Sequence, residues 1–270
     1  MPLAVDLSWT FAPGPLILVA LAAYVYVRRW RVVRREGSGR DATRWHLASF
    51  LAGLAAVLTA LVSPLDALGE QFFPGHMLQH ILLLDVAPIL CTLGLTKVLL
   101  RPVTRRVHRL ERRAGPFAHP AFAVVLYAGT IWVWHIPSLY DRALTDPFVH
   151  GLEHVSFSVA GLIFWWHLVS PIRSRFQHGA LAPVLYLIAT KLLVGALGMG
   201  LTFSPDVIYS YYEQFGTIWG LTALTAQQVG GALMTVEQES VLGIVLFTLF
   251  IRALGDADRR DIRAERLGTG

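Results

Sequence analysis

Charge is what this sequence has least of. Only 15% of its 270 residues are Asp, Glu, Lys or Arg, against about a quarter in an ordinary soluble domain. Hydrophobic residues make up 54%, and the mean hydropathy is +0.53. That balance excludes a soluble domain with a large core and points to an integral membrane protein. Cysteine is nearly missing too. Cys91 stands alone in an apolar run, so an intramolecular disulfide and a Cys-based zinc motif are both excluded. There is no glycine-rich phosphate loop, no Ser–His–Asp nucleophile elbow and no Asp-rich motif for a magnesium-bound diphosphate. The opening Met-Pro-Leu-Ala-Val-Asp has neither a basic region nor a small-residue cleavage site, so the first apolar segment reads as a retained span.

What the chain has is a series of long apolar runs. A bilayer-spanning helix needs about 20 mostly apolar residues. Seven stretches qualify, roughly 13–30, 45–63, 76–100, 118–136, 150–169, 181–203 and 219–251. Together they predict an all-α bundle of seven transmembrane helices in a single membrane domain over 1–270. A net charge of +5 and a pI near 9.7 would suit nucleic acid, but the basic residues lie in short loops, where they act as topology signals for the lipid bilayer. Segments 28–44, 101–117 and 170–180 and the tail after 251 hold 20 of the 23. The alternate loops hold only Arg142, while Lys97 and Lys191 fall inside spans. The positive-inside rule then puts the N-terminus outside and the C-terminus in the cytoplasm.

Histidine carries the chemistry. His76-Met-Leu-Gln-His80 and His150-Gly-Leu-Glu-His154 repeat one spacing, and on a helix residues four apart share a face. With this topology His76 and His80 open helix 3, His150 and His154 open helix 5, and His135 closes helix 4 just before Pro137, all at the outer side. Two such pairs and a fifth imidazole would supply a nitrogen cage for a transition metal. Read singly, each is an interfacial hydrogen-bonding residue. His46, His108, His119, His167 and His178 belong to the cytoplasmic side and show no paired spacing.

Other polar residues rank behind them. Met77 and Met199 are candidate auxiliary ligands, since thioethers favour Cu(I) over zinc. Gln227 and Gln228 could contact the ligand or orient a ring. Asp85, about 180° round the helix from His76, reads as a packing or proton-related residue. Glu153 is the only nearby acid within a motif, and it faces about 100° from His154. Lys191 is expected to pair with Glu239 inside the membrane, leaving Glu237 without an evident partner. Gly195, Gly198, Gly200, Gly230 and Gly231 read as close helix contacts.

Several of these runs carry a resemblance. Pro74-Gly-His-Met-Leu-Gln-His80 through Gly94, Trp134-His-Ile-Pro-Ser-Leu-Tyr-Asp-Arg-Ala-Leu144, His150-Gly-Leu-Glu-His154, Gly161-Leu-Ile-Phe-Trp-Trp166 and Thr225-Ala-Gln-Gln-Val-Gly-Gly-Ala-Leu-Met234 resemble the seven-helix CtaG family of bacterial cytochrome c oxidase assembly factors. The similarity runs from about 45 to 250. It departs from the family in the last helix, with Ala226 where the family has Asp and Thr235-Val236 where it has Trp-Pro-like residues. The resemblance implies a non-enzymatic assembly factor in the bacterial cytoplasmic membrane that handles copper for haem–copper oxidases. His76, His80, His135, His150 and His154 carry over as candidate ligands, haem–copper oxidase subunits as partners, and a periplasmic or extracellular protein as copper donor. Cu(I) is the expected form. The alternatives are a membrane metalloenzyme holding zinc or iron, a b-type haem protein and a metal-free scaffold.

Overall fold

Proline opens most of the helices. Its missing N–H costs nothing in a first turn, where no intrahelical acceptor waits for it. Pro13, Pro64, Pro74, Pro120, Pro137 and Pro147 all stand there. The computed structural model describes residues 4–37, 39, 41–172 and 182–268, with only the backbone of 252–268. In chain order the helices are α1 (Pro13–Arg35), α2 (Arg44–Leu61), α3 (Pro64–Gly69), α4 (Phe73–Ile81), a π-helical turn (Leu82–Val86), α5 (Ala87–Leu93), α6 (Lys97–Leu100) and α7 (Thr104–Ala114). There follow α8 (Pro120–Trp134), α9 (Pro137–Thr145), α10 (Pro147–Val169), α11 (Ala182–Thr202) and α12 (Ala223–Gly268). The described residues form no β-strand beyond an isolated Ile218–Leu221 bridge.

Long helical segments overlap all seven expected stretches. Four of them, Arg44–Leu61, Phe73–Leu93, Pro147–Val169 and Val184–Thr202, are long and apolar enough to cross a membrane, and a fifth qualifies if Thr104–Ala118 and Pro120–Trp134, bent by 69°, act as one. α8 alone has 15 residues, about 22 Å of rise against a hydrocarbon core of about 30 Å. Two boundaries differ from expectation. The helix of the 76–100 run stops at Leu93, and Lys97, exposed, begins the separate α6, capped by the Thr96 hydroxyl. The last run starts at Ala223, after a turn with positive φ at Trp219 and Gly220, and continues unbroken to Gly268. Arg40, Arg173, Arg175 and His178, all assigned to the cytoplasmic side, lie outside the described residues.

Packing joins α4–α5, α10, α8, α11 and α12 into a closed ring, with α12 returning to α4. α2 lies against α5 outside this ring, and α1 lies against α2. The π turn sets the shape of the central wall. Pro88 has no N–H to give to the Leu84 carbonyl four residues back, and its ring crowds that oxygen. The helix widens there, and the Ala87 N–H bonds to the Leu82 carbonyl instead. The released Leu84 carbonyl projects onto α10 at Gly161, where a Cβ would collide with it and with Leu84 C at 2.7 Å. Only glycine lets the two backbones meet this closely.

α11 and α12 use the same device at Gly198 and Gly231, where a Cβ on Gly231 would come within 2.7 Å of the Thr202 nitrogen. Gly230 is likewise filled against, by the Phe73 ring and Met77. Gly195 and Gly200 differ from expectation: they face open space.

Gly161→Val should therefore destabilise the detergent-solubilised protein by about 1–3 kcal/mol, the usual cost of overpacking. Gly195→Ala should cause no loss. Thermal unfolding of the two variants beside the parent checks the contrast.

Candidate metal centre

Both histidine pairs stand in the first turns of their helices. α4 starts at Phe73, with Pro74 in its opening turn. α10 starts at Pro147, and the Asp146 carboxylate accepts from the N–H groups of Phe148 and Val149 at 3.0 and 3.4 Å. The start of each helix thus fixes the depth of its pair. His135 caps the end of α8, where its own Pro137 neighbour begins α9.

All five imidazoles meet. Ring centroids lie 4.3 Å apart for His76–His80 and 4.2 Å for His150–His154, the two within-helix pairs. Between helices the separations are 5.6 Å for His76–His150, 6.3 Å for His80–His154 and 6.0 Å for His80–His135. His76, His80, His135 and His154 are buried, and His150 is half-buried. The His135 Nδ1–H donates to the Ile131 carbonyl at 2.7 Å. That bond fixes the tautomer and leaves Nε2 as a lone-pair donor. His80 stacks on Phe157 with centroids 4.1 Å apart.

The centre of the cluster is Glu153, which the angular reckoning from His154 set aside. An angle between Cα positions ignores the reach of the glutamate side chain, which brings the carboxylate back to the α10 pair, and it says nothing of the α4 histidines that approach the same carboxylate. Glu153 is 0% exposed. Its Oε1 lies 3.6 Å from His76 Nε2 and 3.3 Å from His80 Nε2, and the same carboxylate closes a second group with His150 and His154. Neither carboxylate oxygen has a hydrogen-bond partner, nor have His76 Nδ1 and Nε2, His80 Nδ1 and Nε2, or the Nε2 atoms of His135, His150 and His154. A buried carboxylate and so many bare ring nitrogens are expensive unless something fills the space between them.

The remaining described histidines form the contrast. His46 closes a capping box with Thr43, His119 caps α8 by accepting from the Ala121 N–H, His108 lies 3.5 Å from Glu111, and His167 sits between the Ile163 and Ala118 carbonyls. Those are structural roles. The orphaned nitrogens belong to the cluster.

The auxiliary candidates divide. Met77 is fully buried beside His76 and lines, with His80 and His135, a cavity of about 20 Å³, room for one water molecule. Met199 is 53% exposed on the outside of α11. Gln227 accepts from the Ile208 and Tyr209 N–H groups and donates to the Asp206 carbonyl, while Gln228 donates to the Ser204 carbonyl. Their amides are spent on holding the 204–209 loop. That loop brings in tyrosines that spacing alone did not single out. Tyr209 donates to the His135 carbonyl at 3.0 Å, and Tyr140 bonds Tyr212, which donates to the Gly69 carbonyl at 3.0 Å. With Phe73 they roof the cluster. In the adjoining α3 hairpin, burial pushes the carboxyls of Asp66 and Glu70 above the usual range.

Below the cluster lies a second polar group. The π turn brings Asp85 round to the cavity that His80 lines, because i→i+5 bonding alters the helical phase. Asp85 accepts from Tyr127 at 2.8 and 2.9 Å and from Trp165 at 2.7 Å. Lys191 donates to Gln238 at 2.6 Å rather than pairing with Glu239, which points outward and is exposed. Gln238 in turn donates to Tyr127 at 3.2 Å and to Glu237 at 3.0 Å, so Glu237 has a partner after all.

Tyr127→Phe should leave Asp85 with one donor and cost about 1–3 kcal/mol. Combined with Asp85→Leu it should cost less than the sum of the two singles. Unfolding in detergent of both singles and the double measures the coupling.

An uncharacterised protein of Mycobacterium leprae is 23% identical over 262 residues, covering 89% of this chain and 38% of its own length. Uncharacterised proteins of Mycobacterium bovis and Mycobacterium tuberculosis are each 25% identical over 225 residues, 77% of this chain and 33% of theirs. The chain thus spans between a third and two-fifths of the length of these relatives. No solved structure matches. Residues 24–256 match the family described as the cytochrome c oxidase caa3 assembly factor, and the chain belongs to that family.

Proposed function

We propose that this protein binds copper as Cu(I) at the outer ends of α4, α8 and α10 and delivers it to a haem–copper oxidase during assembly. One observation carries the reading: five imidazoles, four of them grouped around a buried carboxylate, each keep at least one ring nitrogen without a hydrogen-bond partner. Membership of an oxidase assembly family supplies the destination. Imidazole with a nearby thioether, Met77, suits a copper ion, and donors drawn from three helices can be displaced one at a time by a partner's ligands. His76, His80, His135, His150 and His154 hold the ion, with Met77 in reserve. Oxidase subunits receive it, and a donor on the outer side supplies it.

The reading places the protein in the bacterial cytoplasmic membrane with seven crossings and an outer N-terminus. The overlap of long helices with all seven apolar stretches and the one-sided arginines support this. A metalloenzyme is the second reading, and Glu153 is the observation that favours it: a hydrolytic zinc site needs an acid beside its histidines and an open position.

Metal analysis of detergent-purified protein, beside a variant with His76, His80, His150 and His154 all replaced by Ala, separates these. Copper held by the parent and lost by the variant is the expected result. Zinc or iron in its place would select the metalloenzyme, and no metal in either protein would leave a scaffold. In cells, His80→Ala or His154→Ala should lower the copper content of the oxidase while membrane insertion stays intact. Normal oxidase copper in both would overturn the proposal.

A further inference from the structure

We infer that the histidine cluster is a two-ion centre, with the Glu153 carboxylate as the bridge between its halves. The inference rests on the metal-binding reading above and adds to it the number of ions and the residue that joins them. The donors fall into two sets of three. His76 and His80 from α4 close on Glu153, His150 and His154 from α10 close on Glu153, and within each set the ligating atoms lie within 4.8 Å of one another. The two sets share only the carboxylate.

Six donors surround this space, counting His135, and a single tetrahedral ion uses four. Two ions use them all. Each imidazole pair with one carboxylate oxygen gives three donors and leaves a position open on each ion. His135 stands beside His80, with its tautomer set by Ile131 and its Nε2 free to complete the α4 half. Glu153 has the freedom that a bridge requires. Its Oε1 faces His76 and His80, and neither Oε1 nor Oε2 is engaged in any hydrogen bond. A carboxylate that served only to orient one histidine would spend an oxygen on a single ring N–H, whereas this one stands between two rings of α4 and the pair on α10. Bridged metal pairs sit about 3.5–4 Å apart, a spacing compatible with rings 5.6 Å apart across the two helices for His76 and His150.

The test is stoichiometry. The purified 270-residue chain is loaded with Cu(I) under anaerobic conditions, and separately with Zn(II), freed of loosely held metal, and its metal-to-protein ratio measured. The parent should hold two ions. His76→Asn/His80→Asn and His150→Asn/His154→Asn should each hold one, in the surviving half. Glu153→Gln, which keeps the shape of the side chain, should weaken both ions at least tenfold. Monodisperse elution in detergent confirms that each variant is folded, and if a double variant fails that check, the parent ratio and Glu153→Gln decide alone. A parent that holds one ion, lost in either double variant, overturns the two-ion centre while leaving the metal-binding reading in place. A parent that holds none removes that reading along with it.

Discussion

The approach of α10 to the central wall at Gly161 and Leu84 governs the rest of the molecule. It begins with a missing hydrogen: Pro88 cannot satisfy the Leu84 carbonyl, so the helix widens into a π turn. Because residue 161 carries no side chain, the displaced carbonyl can lie directly on α10. The two helices are pinned at that level, and four polar side chains meet one or two turns away. They are His76, His80, Glu153 and His154. The same π turn rotates Asp85 toward the interior, where Tyr127 and Trp165 receive it. One local defect thus sets both the spacing of the histidine helices and the placement of the acid below them.

The interior follows a simple electrostatic economy. Polar groups in an apolar bundle need partners, and the lower cluster complies: Asp85, Tyr127, Trp165, Gln238, Lys191 and Glu237 form one connected network. The upper cluster does not comply. Its ring nitrogens and both Glu153 oxygens stay bare, a short distance above a network where nearly everything is bonded. That contrast distinguishes a polar group kept for folding from one kept for a ligand, and it lies behind assigning the chemistry to the histidines. Capping and packing absorb the other described histidines entirely.

Much of this was legible in the residues, for identifiable reasons. The apolar runs, the proline starts and the i, i+4 histidine pairs are properties of single helices, and single-helix arithmetic recovered them. What escaped depends on two helices at once. Glu153 stands about 100° round α10 from His154, yet its carboxylate reaches both the α10 pair and the two histidines of α4, so an angle measured within one helix could not reveal its place. Asp85 was legible as a packing residue apart from His76, but its partners Tyr127 and Trp165 stand on other helices, beyond the reach of single-helix arithmetic. Lys191 was matched to Glu239 by depth alone, but one step round α12 decides the matter, and Gln238 is the residue that faces α11. Gly195 and Gly200 share the composition of contact glycines without facing a neighbour.

The nature of the atom facing each contact glycine has an evolutionary consequence. At Gly198 the nearest obstacle to a side chain is the Thr235 hydroxyl, and trimming residue 235 would remove it. At Gly161 the obstacle is main chain, the Leu84 carbonyl group itself, which no change at position 84 can shorten. Relief would have to come from restoring the hydrogen bond that Pro88 withholds, and that would straighten the π turn and carry Asp85 off the interior. Positions 88, 161 and 85 are therefore tied to one another: at Gly198 a change at residue 235 leaves only the Gly231 carbonyl, 3.1 Å away, to give by a few tenths of an ångström, while at Gly161 a lineage would have to rebuild the wall.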